Sequence, residues 1–133
     1  MNKLLIVLML SLSVNAANAE WIPLAKDSQN NFHLVKYGSV LPIRDKTIRM
    51  WKLLNIAVPW SIPSIKDTKS VVSLVEVDCQ YNSQQTLQTY GYTEYNGQGD
   101  ITIASKIEPV AFLPPDSAEY RVNENVCKAQ FPS

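Results

Sequence analysis

The strongest periodic signal in the chain is Val71-Val72-Ser73-Leu74-Val75-Glu76-Val77-Asp78-Cys79. Its β-branched side chains suit a pleated, half-buried surface and predict a strand. The odd positions Val71, Ser73, Val75, Val77 and Cys79 share one face, and Val72, Leu74, Glu76 and Asp78 share the other. The odd set is the more apolar, so Cys79 is predicted to point inward. Thr86 to Tyr95 reads as the next strand. Asn96-Gly97-Gln98-Gly99-Asp100 follows as a turn rich in residues that tolerate positive φ. Ile101, Ile103 and Ile107 then mark one face of a strand running to about residue 108, which makes a hairpin with the strand before it. Val110 to Leu113 extends the sheet until Pro114-Pro115 stops it.

Upstream, Trp21-Ile22-Pro23-Leu24 passes into the polar stretch Lys26 to Asn31, and Phe32 to Tyr37 predicts a short strand ended by Gly38-Ser39. Val40 to Ile43 contains Pro42 and is at best an edge strand. Thr47 to Asn55 fits helical and strand spacing about equally, and is read as strand because its neighbours look β. Pro59 and Pro63 predict a loop over 56–68 that holds Trp60 and Ile62. Near the C-terminus, Asp116-Ser117-Ala118-Glu119 has the form of a helix start, with Asp116 as cap and Glu119 in the capping-box position. A helix of about 8–10 residues would place Ala118, Val122 and Val126 on one side, with Cys127 about 100° away. That offset predicts a helix ending near Asn125, which frees Cys127 to turn back toward the sheet. The expected fold class is α+β, an antiparallel sheet with a C-terminal helix packed on it and tied by one disulfide.

Composition adds the compartment. Met1-Asn2-Lys3 is a short positive start, Leu4 to Val14 is almost unbroken apolar, and Ala17-Asn18-Ala19 offers small residues before Glu20. This is the layout of a cleaved signal peptide over residues 1–19, leaving one domain at 20–133. The apolar run is shorter than the ~20 residues a membrane-spanning helix needs. With no Cys at the expected cut to take a lipid, the mature protein is expected in the periplasm, at the outer surface or secreted. Cys79 and Cys127 are the only cysteines, and an even count in an oxidising compartment favours a structural bridge.

The supply of reactive groups is thin. His33 is the only histidine and reads as a surface or packing residue. Glu76 and Asp78 lie two apart on one strand face, which reads as a solvated polar edge rather than a carboxylate pair. Gly97-Gln98-Gly99 lacks the third glycine and following helix of a phosphate loop. A zinc site has too few ligands once both cysteines are bridged. The reading is therefore non-enzymatic, with no cofactor and no metal.

Charge sharpens the picture. Residues 36–69 carry Lys36, Arg44, Lys46, Arg49, Lys52, Lys66 and Lys69 against Asp45 and Asp67, whereas residues 70–133 are acidic by a similar margin. The mature chain is close to neutral, which excludes nucleic-acid binding driven by net charge. Two readings of the layout stand. Either the segments lie apart and Arg44, Lys46, Arg49, Lys52, Lys66 and Lys69 form a basic face for a partner, or neighbouring strands interleave and the charges cancel. Tyr90 and Tyr92 share a face with Gln88 and Glu94, either as exposed anchors or packed under the helix.

The order of motifs resembles the surface-adhesin protein E family of Gram-negative bacteria: a leader, Trp21, Arg49-Met50-Trp51-Lys52-Leu53, Asp78-Cys79, Tyr90, the Gly97–Gly99 turn, Pro115-Asp116-Ser117 and Val126-Cys127. The resemblance covers the mature chain. It implies a curved antiparallel sheet with a C-terminal helix tied by the Cys79–Cys127 bond, a dimer, and adhesion to host matrix and plasma proteins such as vitronectin and laminin. The competing class is a periplasmic inhibitor of a host hydrolase such as lysozyme, a role open to small disulfide-stapled β proteins.

Overall fold

A computed structural model describes residues 21–62 and 65–132, with residues 60–66 described at most by their backbone. The signal peptide expected over 1–19 lies outside the described residues. Among the described residues, eight strands form one antiparallel sheet: β1 (Trp21–Lys26), β2 (Phe32–Lys36), β3 (Leu41–Arg44), β4 (Thr47–Ile62), β5 (Ile65–Asp78), β6 (Ser83–Tyr92), β7 (Ile101–Ser105) and β8 (Ala111–Phe112). Their order is β1-β2-β4-β5-β6-β7; β3 adds beside β4, and β8 beside β6. The single described α-helix, α1 (Ala118–Gln130), covers one face.

The frame of the sheet is the long β4–β5 hairpin, paired without interruption from Thr47 opposite Asp78 to Asn55 opposite Ser70. This register puts Ile48, Met50, Val75 and Val77 on one face, where they bury against Val35 of β2 and Val122 and Cys127 of α1. The disulfide joins Cys79, just past β5, to Cys127 inside the helix, with Cα atoms 5.6 Å apart. As the alternation predicts, Cys79 packs on the core side with Val75 and Val77.

Four expectations need correction. The predicted loop over 56–68 is instead the far half of the hairpin, with Trp60 opposite Thr68 and Ile62 opposite Ile65. Pro59 fits a strand because the register slips between Asn55 and Trp60, where no ladder bond requires its missing N–H. The strand carrying Ile101 and Ile103 stops at Ser105, short of Ile107. Beyond it the chain rides along β6 through Glu108 N–H donating to Thr86 O (2.8 Å) and then pairs as β8.

The helix cap is Ser117, one residue later than Asp116: its Oγ accepts from Tyr120 N–H at 3.1 Å. Finally, α1 continues through Asn125 to Gln130 and keeps Cys127 within it. The 100° offset does not force an earlier end, because the buried arc is broad. Ala118, Val122, Asn123 and Cys127 are all buried, and Val126 flanks the core. By contrast, Pro42 sits on a short edge strand as expected. β1, which the apolar pattern does not announce, is an edge strand blunted by Pro23 and a register slip between Pro23 and Ala25.

The disulfide closes a 48-residue separation. Losing it is expected to cost about 4 kcal/mol in chain entropy. Chemical denaturation of a C79A/C127A double variant should show a loss of that order; an unchanged midpoint would contradict the helix tie.

Candidate functional site

One helix cannot cover two faces. On the side away from α1, cross-strand register aligns Trp51 with Leu74 and Gln88, and Leu53 with Val72 and Tyr90. A slip in β6 near Thr86–Gln88 lets Gln84 face the helix side while Gln88, Tyr90 and Tyr92 face away from it. Leu53 is fully covered by its neighbours, whereas Trp51, Val72, Leu74, Tyr90 and Tyr92 remain half-buried. The tyrosines therefore lie on the uncovered face, not under the helix. Aromatic and aliphatic groups held in this way on rigid strands are the composition that protein interfaces favour.

Polar clusters bound this band. At one end Glu76 accepts from Arg44 Nη2 at 3.0 Å and from Arg49 Nη2 and Nε at 2.6 and 3.2 Å. Hydrogen bonding from Arg49 is the main cause holding the Glu76 carboxyl below its usual range, against the cost of partial burial. Glu76 is thus an ion-paired anchor rather than part of a solvated edge, and Asp78 instead accepts from Gln80 N–H at 2.9 Å. At the other end Asn55 and Asn96 exchange two bonds of 2.9 Å. Gly97, in the left-handed region at φ 70°, sends its N–H to Ser70 Oγ at 3.0 Å and pins this turn to β5.

The sequence-predicted basic residues fall in separate places. Arg44 and Arg49 come together on Glu76. Lys46, in the β3–β4 turn, lies over the Phe131 ring at 5.7 Å. Lys69 pairs with Glu94 at 3.6 Å and lies near the Tyr95 ring. The Lys66 side chain lies outside the described residues. Lys52 is only 7% exposed and faces the helix, where Nζ donates to Gln84 Oε1 (3.1 Å) and Asn123 Oδ1 (3.0 Å). Interleaving thus pairs much of the basic segment locally instead of spreading it over one face. His33 is buried and packs as expected, with Nε2 3.0 Å from Asp27 Oδ2. Burial opposes ionisation of Asp27, but the bonds from His33, Asn31 and Gln29 prevail and hold it at about 2. Among the described residues no three metal-ligating side chains converge, and no helix is long and apolar enough to cross a membrane.

The uncovered aromatic band is the surface that apolar periodicity alone misses. Alternation identified the inward face of β5, but only the cross-strand register shows that Trp51, Leu74 and Tyr90 lie together.

The family model for surface-adhesin protein E matches residues 21–128, and the chain belongs to that family. Three solved structures of Haemophilus influenzae protein E share the fold at 17% identity. Crystal form II has a TM-score of 0.66, covering 87% of this chain and 92% of that one. Protein E from a non-typeable strain has a TM-score of 0.63, covering 85% and 80%. The selenomethionine form has a TM-score of 0.62, covering 83% and 87%. No curated protein sequence matches the chain significantly.

Burial pulls the Lys52 ammonium down to about 8 from 10.5, partly offset by Glu119. Between those values the unfolded chain binds more protons than the folded one, so stability rises with pH. Relative to K52M, the wild type should therefore gain up to roughly 3 kcal/mol as pH rises from about 7 to about 10. Denaturation of both proteins across that range checks this. The pH-dependence of the difference is the readout, since K52M also removes two hydrogen bonds; parallel curves would overturn the assignment.

Proposed function

We propose that this member of the surface-adhesin protein E family is an exported, non-enzymatic binding protein that adheres to host extracellular-matrix or plasma proteins such as vitronectin or laminin. The observation that carries the reading is the uncovered sheet face: Trp51, Leu74, Tyr90 and Tyr92 form an aromatic and aliphatic band, with the Arg44–Glu76–Arg49 cluster at one end. Partner contact would bury the band, and the exposed Arg44 guanidinium would pair with acidic groups at the rim. In the dimer that the family resemblance implies, a second copy would bury part of the same face. Export through the leader would place the protein where such partners are met.

The oxidised protein is expected to bind immobilised vitronectin or laminin, and an R44E/Y90S double variant to bind at least ~tenfold more weakly while circular dichroism shows its fold retained. Absence of binding by correctly folded protein at both low and high salt would defeat the reading. Inhibition of lysozyme turnover in the parallel assay would replace it with the inhibitor class.

A further inference from the structure

We propose that a depression at the disulfide end of α1 binds a saccharide carrying a carboxylate. The depression has a volume of ≈ 500 Å³ and its walls include the Cys79–Cys127 disulfide, Tyr81, Tyr120 and Phe131. That is the size range of small-ligand sites. Tyr81 is 65% exposed on the tight turn between β5 and β6, so a large aromatic side chain stands at the rim with little to cover it. Aromatic faces of this kind accept the apolar C–H face of a pyranose ring, because the ring quadrupole attracts polarised hydrogens.

Asn82 supplies the second, independent observation. It lies in the lining, is 9% exposed and holds a left-handed backbone at φ 49°. Its Nδ2 donates to Tyr120 O at 3.2 Å, which fixes the orientation of the amide. Oδ1 is then the one buried side-chain polar atom among the described residues without a hydrogen-bond partner. A buried acceptor left unpaired is costly. A sugar hydroxyl is a donor of the right kind for this oxygen.

Charge selects the sugar class. Lys46 and Lys128 flank the depression against one carboxylate, Glu124, which Lys128 Nζ contacts at 2.8 Å. Lys46 Nζ rests over the Phe131 ring, 5.7 Å from its centroid. The excess of one positive charge suits a ligand carboxylate, as found in sialic or uronic acids. This inference does not rest on the adhesin reading. It uses a different surface and a different ligand class, so either can fail alone.

The test is saturation-transfer NMR with titration on oxidised protein, using 3′-sialyllactose and, as the neutral control, lactose. Sialyllactose is expected to bind with Kd of order 1 mM. Y81A should weaken it at least ~fivefold and K46Q at least ~threefold, both with unchanged melting temperature. Y37A, altered on an exposed side chain outside the depression, should bind as the wild type does. No transfer to sialyllactose, equal binding of lactose, or full binding by Y81A would each overturn the proposal.

Discussion

The structure depends on the seam between one helix and one face of the sheet. Val122 and Cys127 of α1 bury against Ile48, Met50, Val75 and Val77, and the covalent bond to Cys79 prevents the helix from leaving. In a chain this short the core is necessarily modest. Constraining the unfolded ensemble therefore contributes a large share of a net stability that is small in any domain. The same seam determines what remains open. With the only described α-helix committed to the Val75–Val77 side, the Trp51–Leu74–Tyr90 side is left half-exposed for a partner to cover.

Beside the apolar seam sits a polar one. Lys52, Gln84 and Asn123 close a buried network in which Asn123 Nδ2 also donates to Gln84 Oε1 at 3.0 Å. Such a network is a poor source of stability, since the ammonium gives up water for neutral amide oxygens. Its geometric effect is clearer. A helix shifted by one turn would leave a buried ammonium and two buried amides without partners, so the network penalises sliding while the disulfide prevents departure. The depressed Lys52 pKa is the cost of that placement.

Local sequence signals carried the fold unevenly. The β5 alternation and the inward turn of Cys79 were legible because each residue reports its own face under period 2. The Pro59 segment was not legible, because a proline is a breaker only if its N–H is needed, and that is settled by the register with another strand. The helix runs beyond Asn125 for a similar reason: the width of a buried arc depends on what lies opposite, which the helix's own spacing does not record. The cap moved from Asp116 to Ser117 because both residues are good caps and only the geometry selects between them. For the candidate surface, Tyr90 was readable as a residue of interest. Its companions Trp51 and Leu74 come from strands far away in sequence and emerge only from pairing.

The basic segment shows how antiparallel pairing alters the meaning of a charge run. Residues 36–69 look like a positive patch in one dimension, but the β4–β5 hairpin sets Arg49 against Glu76, and the segment just past β6 sets Glu94 against Lys69. Folding thus converts a bipolar sequence into short-range pairs whose field fades within about a Debye length of 8–10 Å. Long-range steering of a polyanion is weakened by that cancellation. What survives at the surface is local chemistry: aromatic faces, the exposed Arg44 guanidinium, and lysines placed beside rings. For the proposed binding role, such a surface favours discrimination by close contact over attraction at a distance. Partner choice should therefore follow shape and aromatic burial more than ionic strength.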